Sequence, residues 1–362
     1  MKDVGMVMPV YNQDPNYLIL SLNSILQQTY KNFHLIIVID GANDETKSIV
    51  SRYKNDSRIT IIEKDTNEGI SKALNTGFDY LNKIDEVQFL TWVSSDNILY
   101  PDFIKKLYDK IKYAPPKVGL VYSGFHEIDE NGNRLHNKLQ QEYFLNWQQN
   151  KTKNDILDIC FIGASFMYKK RYAVQIEGYY FEPVEDYEYW LRLTEICDVE
   201  FVPEELMGYR FHSPLSLSKD IHTDKKKHRW WRDQFNLARH KARLRRKIPY
   251  ETTILFPVFT IDHKTIEGIE SLLEQLYHNY WLIIIDNTHE MKNTLKHLGI
   301  NDHRITVIEN ATSDCNLLKH IATPETPCKL VYSKGFDFSD MSNLSHLIQT
   351  IKNNKSLGYW RD

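Results

Sequence analysis

The chain has 362 residues, 42% hydrophobic and 26% charged, with a formal net charge of -3. That length allows two domains with sizeable cores, and that charge supplies no global field to recruit nucleic acid. The four cysteines, Cys160, Cys197, Cys315 and Cys328, are scattered without a CxxC pair, which argues against a zinc site or a disulfide framework and fits a reducing, cytosolic setting.

In chain order, VGMVMPV reads as a buried strand, and PNYLILSLNSILQQTY as a helix with Leu18, Leu22, Ile25 and Leu26 on one face. FHLIIVIDG is a second continuous apolar strand ending at Asp40-Gly41. NDETKSIVSRY places Asp44 and Glu45 in a helix first turn, where the dipole favours acids. RITIIEK is a third strand, NEGISKALNTGFDYL a loop and helix, and VQFLTWVSS a fourth strand. Continuous apolar strands alternating with helices predict a mostly parallel sheet covered on both faces. Such sheets bind ligands at the carboxyl ends of their strands. Tyr11, Asn12, Asp40 and Asp96 all fall there. The opening MKDVGMVMPVYN runs straight into a strand, so no leader is expected. No apolar run approaches the ~20 residues of a membrane span.

The later part repeats the early part. TILFPVFT echoes GMVMPVYN, LLEQLYHNYWLIIIDNT echoes ILQQTYKNFHLIIVIDG, and HRITVIEN echoes SRITIIEK, at an offset near 246–248 residues. NLSHLIQTIKNNKSLGY echoes the helix that follows the fourth strand. The repeat keeps its apolar strands and loses its polar strand ends. Tyr11-Asn12 becomes Phe259-Thr260, NEGISKALN becomes SDCNLLKHI, and SSDN becomes SKGFDF with Asp337 displaced. Asp286-Asn287 alone resembles the acid that ends the second strand. The expected organisation is a main α/β domain over 1–218, a basic helical linker over 219–249 and a smaller, partial, inactive α/β copy over 250–362. The linker, DKKKHRWWRDQFNLARHKARLRRK, reads either as a basic amphipathic helix on an anionic membrane surface or as a solvated helix whose tryptophans pack on a domain.

The segments MVMPVYN, FHLIIVIDGANDET, NEGISKALNTG, WVSSDNILYP, VEDYEYWLRL and YRFH occur in that order. Together, over about residues 1–218, they resemble the family 2 glycosyltransferases of GT-A fold. The resemblance implies an inverting enzyme that moves a sugar from a nucleotide-diphospho-sugar, a UDP-sugar foremost, to a hydroxyl of a saccharide or lipid-linked acceptor. It implies cell-surface polysaccharide or glycolipid synthesis at the cytoplasmic side, and a Mn2+ or Mg2+ cofactor.

By motif, the resemblance assigns Asp186 as base and Glu185 as an acid that orients the acceptor or contacts nearby backbone, though both also fit a plain acidic helix start. Pro9, Tyr11, Asn12 and Asp40 match the nucleotide-facing strand ends. Tyr11 read as a core aromatic and Asp40 read as a helix cap are the plainer alternatives. Asn67, Gly69, Lys72 and Asn75 match the phosphate region, where Lys72 reads equally as a surface lysine. Ser95 and Asp96 match the cation and diphosphate site, and His212 a further metal contact or a plain loop histidine. The site departs from the family's acid-rich pattern because Ser94 and Asn97 stand where acids are usual. GASFMYKKR, Gly163 to Arg171, is expected on the acceptor side. A Gly-rich phosphate loop or GxGxxG after the first strand is missing, which argues against a nucleotidyltransferase or a dinucleotide oxidoreductase. A non-catalytic nucleotide-sugar or glycan-binding subunit is the alternative from another class.

Overall fold

A computed structural model describes residues 2–211, 217–309, 326–332 and 338–353. They divide into two units, Met1–Ile156 with Cys160–Thr223, and Leu157–Ile159 with Asp224–Asp362.

The strands of the first unit are β1 (Val4–Val10), β2 (Phe33–Asp40), β3 (Ile59–Lys64), β4 (Phe89–Trp92), β5 (Ile98–Leu99), β6 (Val118–Ile128), β7 (Phe166–Lys169) and β8 (Asp198–Arg210). They form one sheet in the order β3-β2-β1-β4-β7-β6-β8-β5. Strands β3, β2, β1 and β4 are mutually parallel. β7 is antiparallel to both β4 and β6, so β6 runs in the direction of β4. The continuous apolar strands follow from burial on both faces: every residue of Leu35–Ile39 is buried. Helix Pro15–Leu26 turns Leu18, Leu22 and Ile25 into the core, and Asp14 caps it through the backbone N–H groups of Asn16 and Tyr17. The predicted α/β architecture, a mostly parallel sheet between helices, is present.

The second unit is a four-stranded sheet of β9 (Thr252–Val258), β10 (Tyr280–Asp286), β11 (Ile305–Glu309) and β12 (Cys328–Val331), in the order β11-β10-β9-β12. All its pairs are parallel. The order copies β3-β2-β1-β4 of the first unit, as the sequence repeat predicts. One detail departs from expectation. β1 pairs Val4 with Phe33 and Val10 with Ile39. β9 pairs Thr252 with Tyr280 and Val258 with Asp286. The second copy of this strand is thus one residue shorter, and Asp286 stands in the register of Ile39, not of Asp40. A one-residue shift reverses the face a side chain takes. Asp286 is fully buried and accepts from the N–H groups of Thr288 and Met291, which makes it a local loop cap. The SDCNLLKHI segment and Asp337 lie outside the described residues.

The basic segment was expected as a separate linker. The structure instead groups its helix, Lys225–Arg245, with the second unit. Its buried face is polar: Arg232, Asp233, Asn236, Arg239 and Arg243 are all buried. Arg232 pairs with Asp233 at 3.0 Å and Glu274 at 3.3 Å, and Asn236 donates to Asp302 at 2.7 Å. Arginines enter a core only when their donors are met in this way. Arg232, Arg239 and Arg243 therefore serve packing inside the unit rather than a lipid surface. No helix among the described residues is long and apolar enough to cross a membrane.

Candidate active site

The carboxyl ends of β1, β2 and β4 meet three loops that the rest of the first unit holds in place. At the end of β1, Asn12 takes a positive φ of 35°, and its Oδ1 accepts the Asn43 N–H at 2.7 Å, tying the first strand end to the loop after the second. Asparagine tolerates this left-handed backbone better than most residues. Pro9 lies within β1 opposite Val38, and Tyr11 stands half exposed at the rim.

Asp40 is buried at the end of β2. Its carboxylate accepts the N–H groups of Glu68 at 3.2 Å and Gly69 at 3.0 Å, and pairs with Lys64 at 2.8 Å. It therefore shapes the Asn67–Gly69 loop from within. Asn67 adds a bond from Gly69 N–H to its Oδ1 at 3.0 Å. Gly69 needs its glycine: φ is 94°, and a Cβ there would lie 2.7 Å from Glu182 Oε1. That Glu182 oxygen also accepts the Ser71 N–H at 3.1 Å, so a carboxylate sits on the first turn of helix Ile70–Asn82. Lys72 is 66% exposed and only 3.7 Å from Glu68, the geometry of a surface lysine. Asn75 is committed elsewhere: Nδ2 donates to Tyr179 O at 2.6 Å and Oδ1 accepts the Tyr179 N–H at 2.8 Å. It pins the segment that leads to the acidic pair.

At the end of β4, Ser94 Oγ donates to Asp96 Oδ1 at 2.6 Å, so a hydroxyl supports the remaining acid where the family usually has a second carboxylate. Ser95 is buried and accepts from Gln13 Nε2 at 3.0 Å. Arg210, at the end of β8, donates to the Asp96 carbonyl at 3.1 Å and to the Asp129 and Glu130 carbonyls at 2.6 and 2.9 Å. Its backbone N–H bonds Asn97 Oδ1 at 3.0 Å, and its guanidinium lies 4.0 Å from the Tyr17 ring centroid. The turn holding Asp96 is thus fixed from β6 and β8. Among the described residues, no group of three or more His, Cys, Asp or Glu converges on a cation position. A hard cation that draws most of its oxygens from a diphosphate needs only one or two carboxylates. Asp96 with the Ser94 hydroxyl meets that lower requirement. His212 lies outside the described residues.

The acidic pair opens helix Glu185–Ile196. Further along this helix, Arg192 donates to Gly178 O at 2.8 Å and pairs with buried Glu188 at 2.8 Å. Tyr189 stacks on Tyr179 at 4.1 Å. Glu185 Oε2 and Asp186 Oδ1 are shielded from solvent without a hydrogen-bond partner. The buried Trp92 indole, from the end of β4, stands beside Asp186. Burial pushes the Glu185 carboxyl up to about 7, with Glu182 adding to it. Burial and then the charge of Glu185 raise Asp186 well above the ordinary carboxylate range, and Trp92 partly offsets this. Two proton-hungry carboxyls at the strand ends suit general base chemistry near neutral pH.

Gln13, Trp92, Glu182 and Arg210 were not legible as site residues. The partners of Gln13, Glu182 and Arg210 lie 80 to 114 residues away in the chain, and no local pattern marks such pairs.

Residues 6–176 match the glycosyl transferase family 2 model. An uncharacterised glycosyltransferase of Rickettsia conorii is 26% identical over 324 residues, covering 78% of this chain and 52% of that protein. Glycosyltransferase GlyA of Streptococcus pneumoniae is 38% identical over 123 residues, 33% of this chain and 17% of that one. This chain spans about half the length of the first relatives it matches. Among solved structures, a mannosyltransferase of Pyrobaculum calidifontis, in complex with GDP-Man and Mn2+, superposes with a TM-score of 0.50 at 15% identity, over 66% of this chain and 64% of that one. The first unit thus matches the family 2 model over residues 6–176 and shares the GT-A fold of that mannosyltransferase.

Proposed function

We propose, from the family 2 match over residues 6–176 as premise, that this chain moves a sugar from a nucleotide-diphospho-sugar to an acceptor hydroxyl with inversion. The observation that carries the reading is the pair of buried carboxyls with partnerless oxygens, Glu185 and Asp186, at the strand ends that hold Asp96. Asp186 takes the proton of the acceptor hydroxyl as that oxygen bonds to the anomeric carbon. The bond from that carbon to the diphosphate breaks on the opposite face, and the nucleoside diphosphate leaves with the bonding electrons. One displacement inverts the anomeric centre. Glu185 orients the acceptor, and its charge keeps Asp186 avid for the proton.

Tyr11 and Asn12 flank the nucleotide, and the loop organised by Asp40 offers backbone N–H groups toward the phosphates. Asp96 would hold a Mg2+ or Mn2+ ion together with the phosphates; such an ion supplies countercharge for the leaving diphosphate. A UDP-sugar donor, a saccharide or lipid-linked acceptor and a role in surface polysaccharide assembly extend the same reading. Asp186→Asn tests it: transfer and Mn2+-dependent donor hydrolysis should fall by orders of magnitude while nucleotide affinity is kept, since the base acts in the transition state. The Ser94 hydroxyl in place of an acid favours one rival, a nucleotide-sugar-binding subunit without catalysis. Absence of donor hydrolysis in the unmodified chain, with nucleotide binding intact, would decide for it.

A further inference from the structure

The mechanism above uses the ends of β1, β2 and β4 but not that of β6. Since β6 runs in the direction of β4, it ends on the same edge of the sheet. A cavity of about 260 Å³ opens there, lined by Phe125, Glu127, His136, Gln140, Gln141 and Phe144. Phe125 and Glu127 share one face of β6, two residues apart. The Phe144 ring meets Phe125 edge-on at 5.5 Å and stacks on Trp147 at 5.6 Å. Glu127 Oε2 lies 2.9 Å from His136 Nε2. Gln141 is held by a 2.7 Å bond from Nε2 to the Phe125 carbonyl. Gln140 closes a capping box with Asn137 at the start of helix Lys138–Gln149. The pocket has aromatic walls and a carboxylate, an imidazole and amides around them.

The geometry points to a subsite for one neutral saccharide ring of the acceptor, an inference that rests on the transferase reading. An aromatic face is electron-rich and receives the C–H face of a pyranose. A carboxylate, an imidazole and amides supply the acceptors and donors that hydroxyl pairs need. Glu127 opposes a phosphate or a carboxylated ligand, and the polar groups oppose a purely apolar one. The volume is near the lower bound of small-molecule clefts, which suits one ring rather than a chain. Packing contacts lead from the pocket toward β4. A Cβ on Gly163 would lie 2.5 Å from a Phe125 ring carbon. Three residues on, the Phe166 carbonyl accepts from Thr91 of β4 at 2.7 Å, next to Trp92. The subsite thus adjoins the Gly163 segment expected on the acceptor side.

Saturation-transfer NMR with methyl glycosides of glucose, galactose, N-acetylglucosamine and rhamnose tests the subsite in the full chain. At least one glycoside should saturate the unmodified protein. Phe144→Ala and Glu127→Gln should each weaken it about tenfold or more, with the circular dichroism spectrum and unfolding midpoint of Glu127→Gln unchanged. Glu127→Gln keeps the packing, so it reads the subsite even where Phe144→Ala disturbs the helix. No saturable glycoside, or equal binding by Glu127→Gln, overturns the subsite. Mn2+-dependent hydrolysis of UDP-glucose and GDP-mannose by the unmodified chain is measured beside it. Donor cleavage without glycoside binding sinks the subsite alone. Glycoside binding without donor cleavage keeps a saccharide pocket and sinks both the transferase reading and the acceptor role.

Discussion

Replacing Glu185 by Gln should change how stability depends on pH. Burial raises this carboxyl from an ordinary 4.5 to about 7. The folded chain thus holds the proton more tightly than the unfolded chain does. The stabilisation from that proton is complete below about pH 4.5 and is lost as pH rises through about 7. Each pH unit between the two values corresponds to ~1.4 kcal/mol, so the full effect approaches ~3 kcal/mol. That is an upper limit, because Asp186 beside it is also raised and takes up part of the proton binding. The amide of the Glu185→Gln chain carries no such proton. Urea unfolding of both chains between about pH 5 and pH 8, followed by fluorescence and circular dichroism, reads the difference directly. Relative to the unmodified protein, Glu185→Gln should gain ~2–3 kcal/mol as pH rises across that range. A difference between the two chains that stays constant from about pH 5 to pH 8 would falsify the claim that Glu185 is a desolvated acid. The same raised acids should place the acid limb of the activity profile near neutrality, above the usual carboxylate range.

Asp96→Ala should abolish the tightening of nucleoside diphosphate binding by Mn2+; equal calorimetric affinities with Mn2+ and with chelator in the unmodified chain would remove the cation from this site. That same variant should show no residual Mn2+-dependent nucleotide-sugar binding, since the second unit has Phe259 and Thr260 at its first strand end and Asp286 turned into a loop cap. Asn75→Ala should cost about 1–3 kcal/mol by leaving the Tyr179 backbone groups without partners. It should also lower kcat, because the released segment carries the acidic pair; unchanged stability and turnover would show that the two bonds are dispensable.

Much of the strand layout was legible, because strands buried on both faces must be continuously apolar, as FHLIIVID is. The repeat was legible for the same reason. The one-residue shift at Asp286 was not, since an acid ending an apolar run looks the same from either register. The Glu185-Asp186 motif pointed to the right helix start, but the burial that leaves two of its oxygens unsatisfied comes from packing that no local pattern marks, with Trp92 beside Asp186. The bonds of Asn75 to the Tyr179 backbone were not legible, because its side chain is as apt for a backbone pair as for a phosphate. The basic helix left two readings open because composition cannot show which arginines find carboxylates inside a fold. Arg232 and Arg243 do, at Asp233 and Asp158.

The clamp between helix Ile70–Asn82 and the acidic segment has a consequence for sequence drift. A Cβ on Gly178 would fall 2.3 Å from Asn75 Oδ1, and one on Gly69 would fall 2.7 Å from Glu182 Oε1. Each small residue is licensed by the reach of a polar one about a hundred positions away. Loss of Asn75 removes the reason for glycine at 178, and loss of Glu182 relaxes the space at 69 though not its left-handed backbone. In a lineage of related chains the pairs 75–178 and 69–182 should therefore change together. A chain that gains a side chain at 178 should have lost the asparagine first, and with it the means of carrying its acidic pair on the same body as its loop at 67–69.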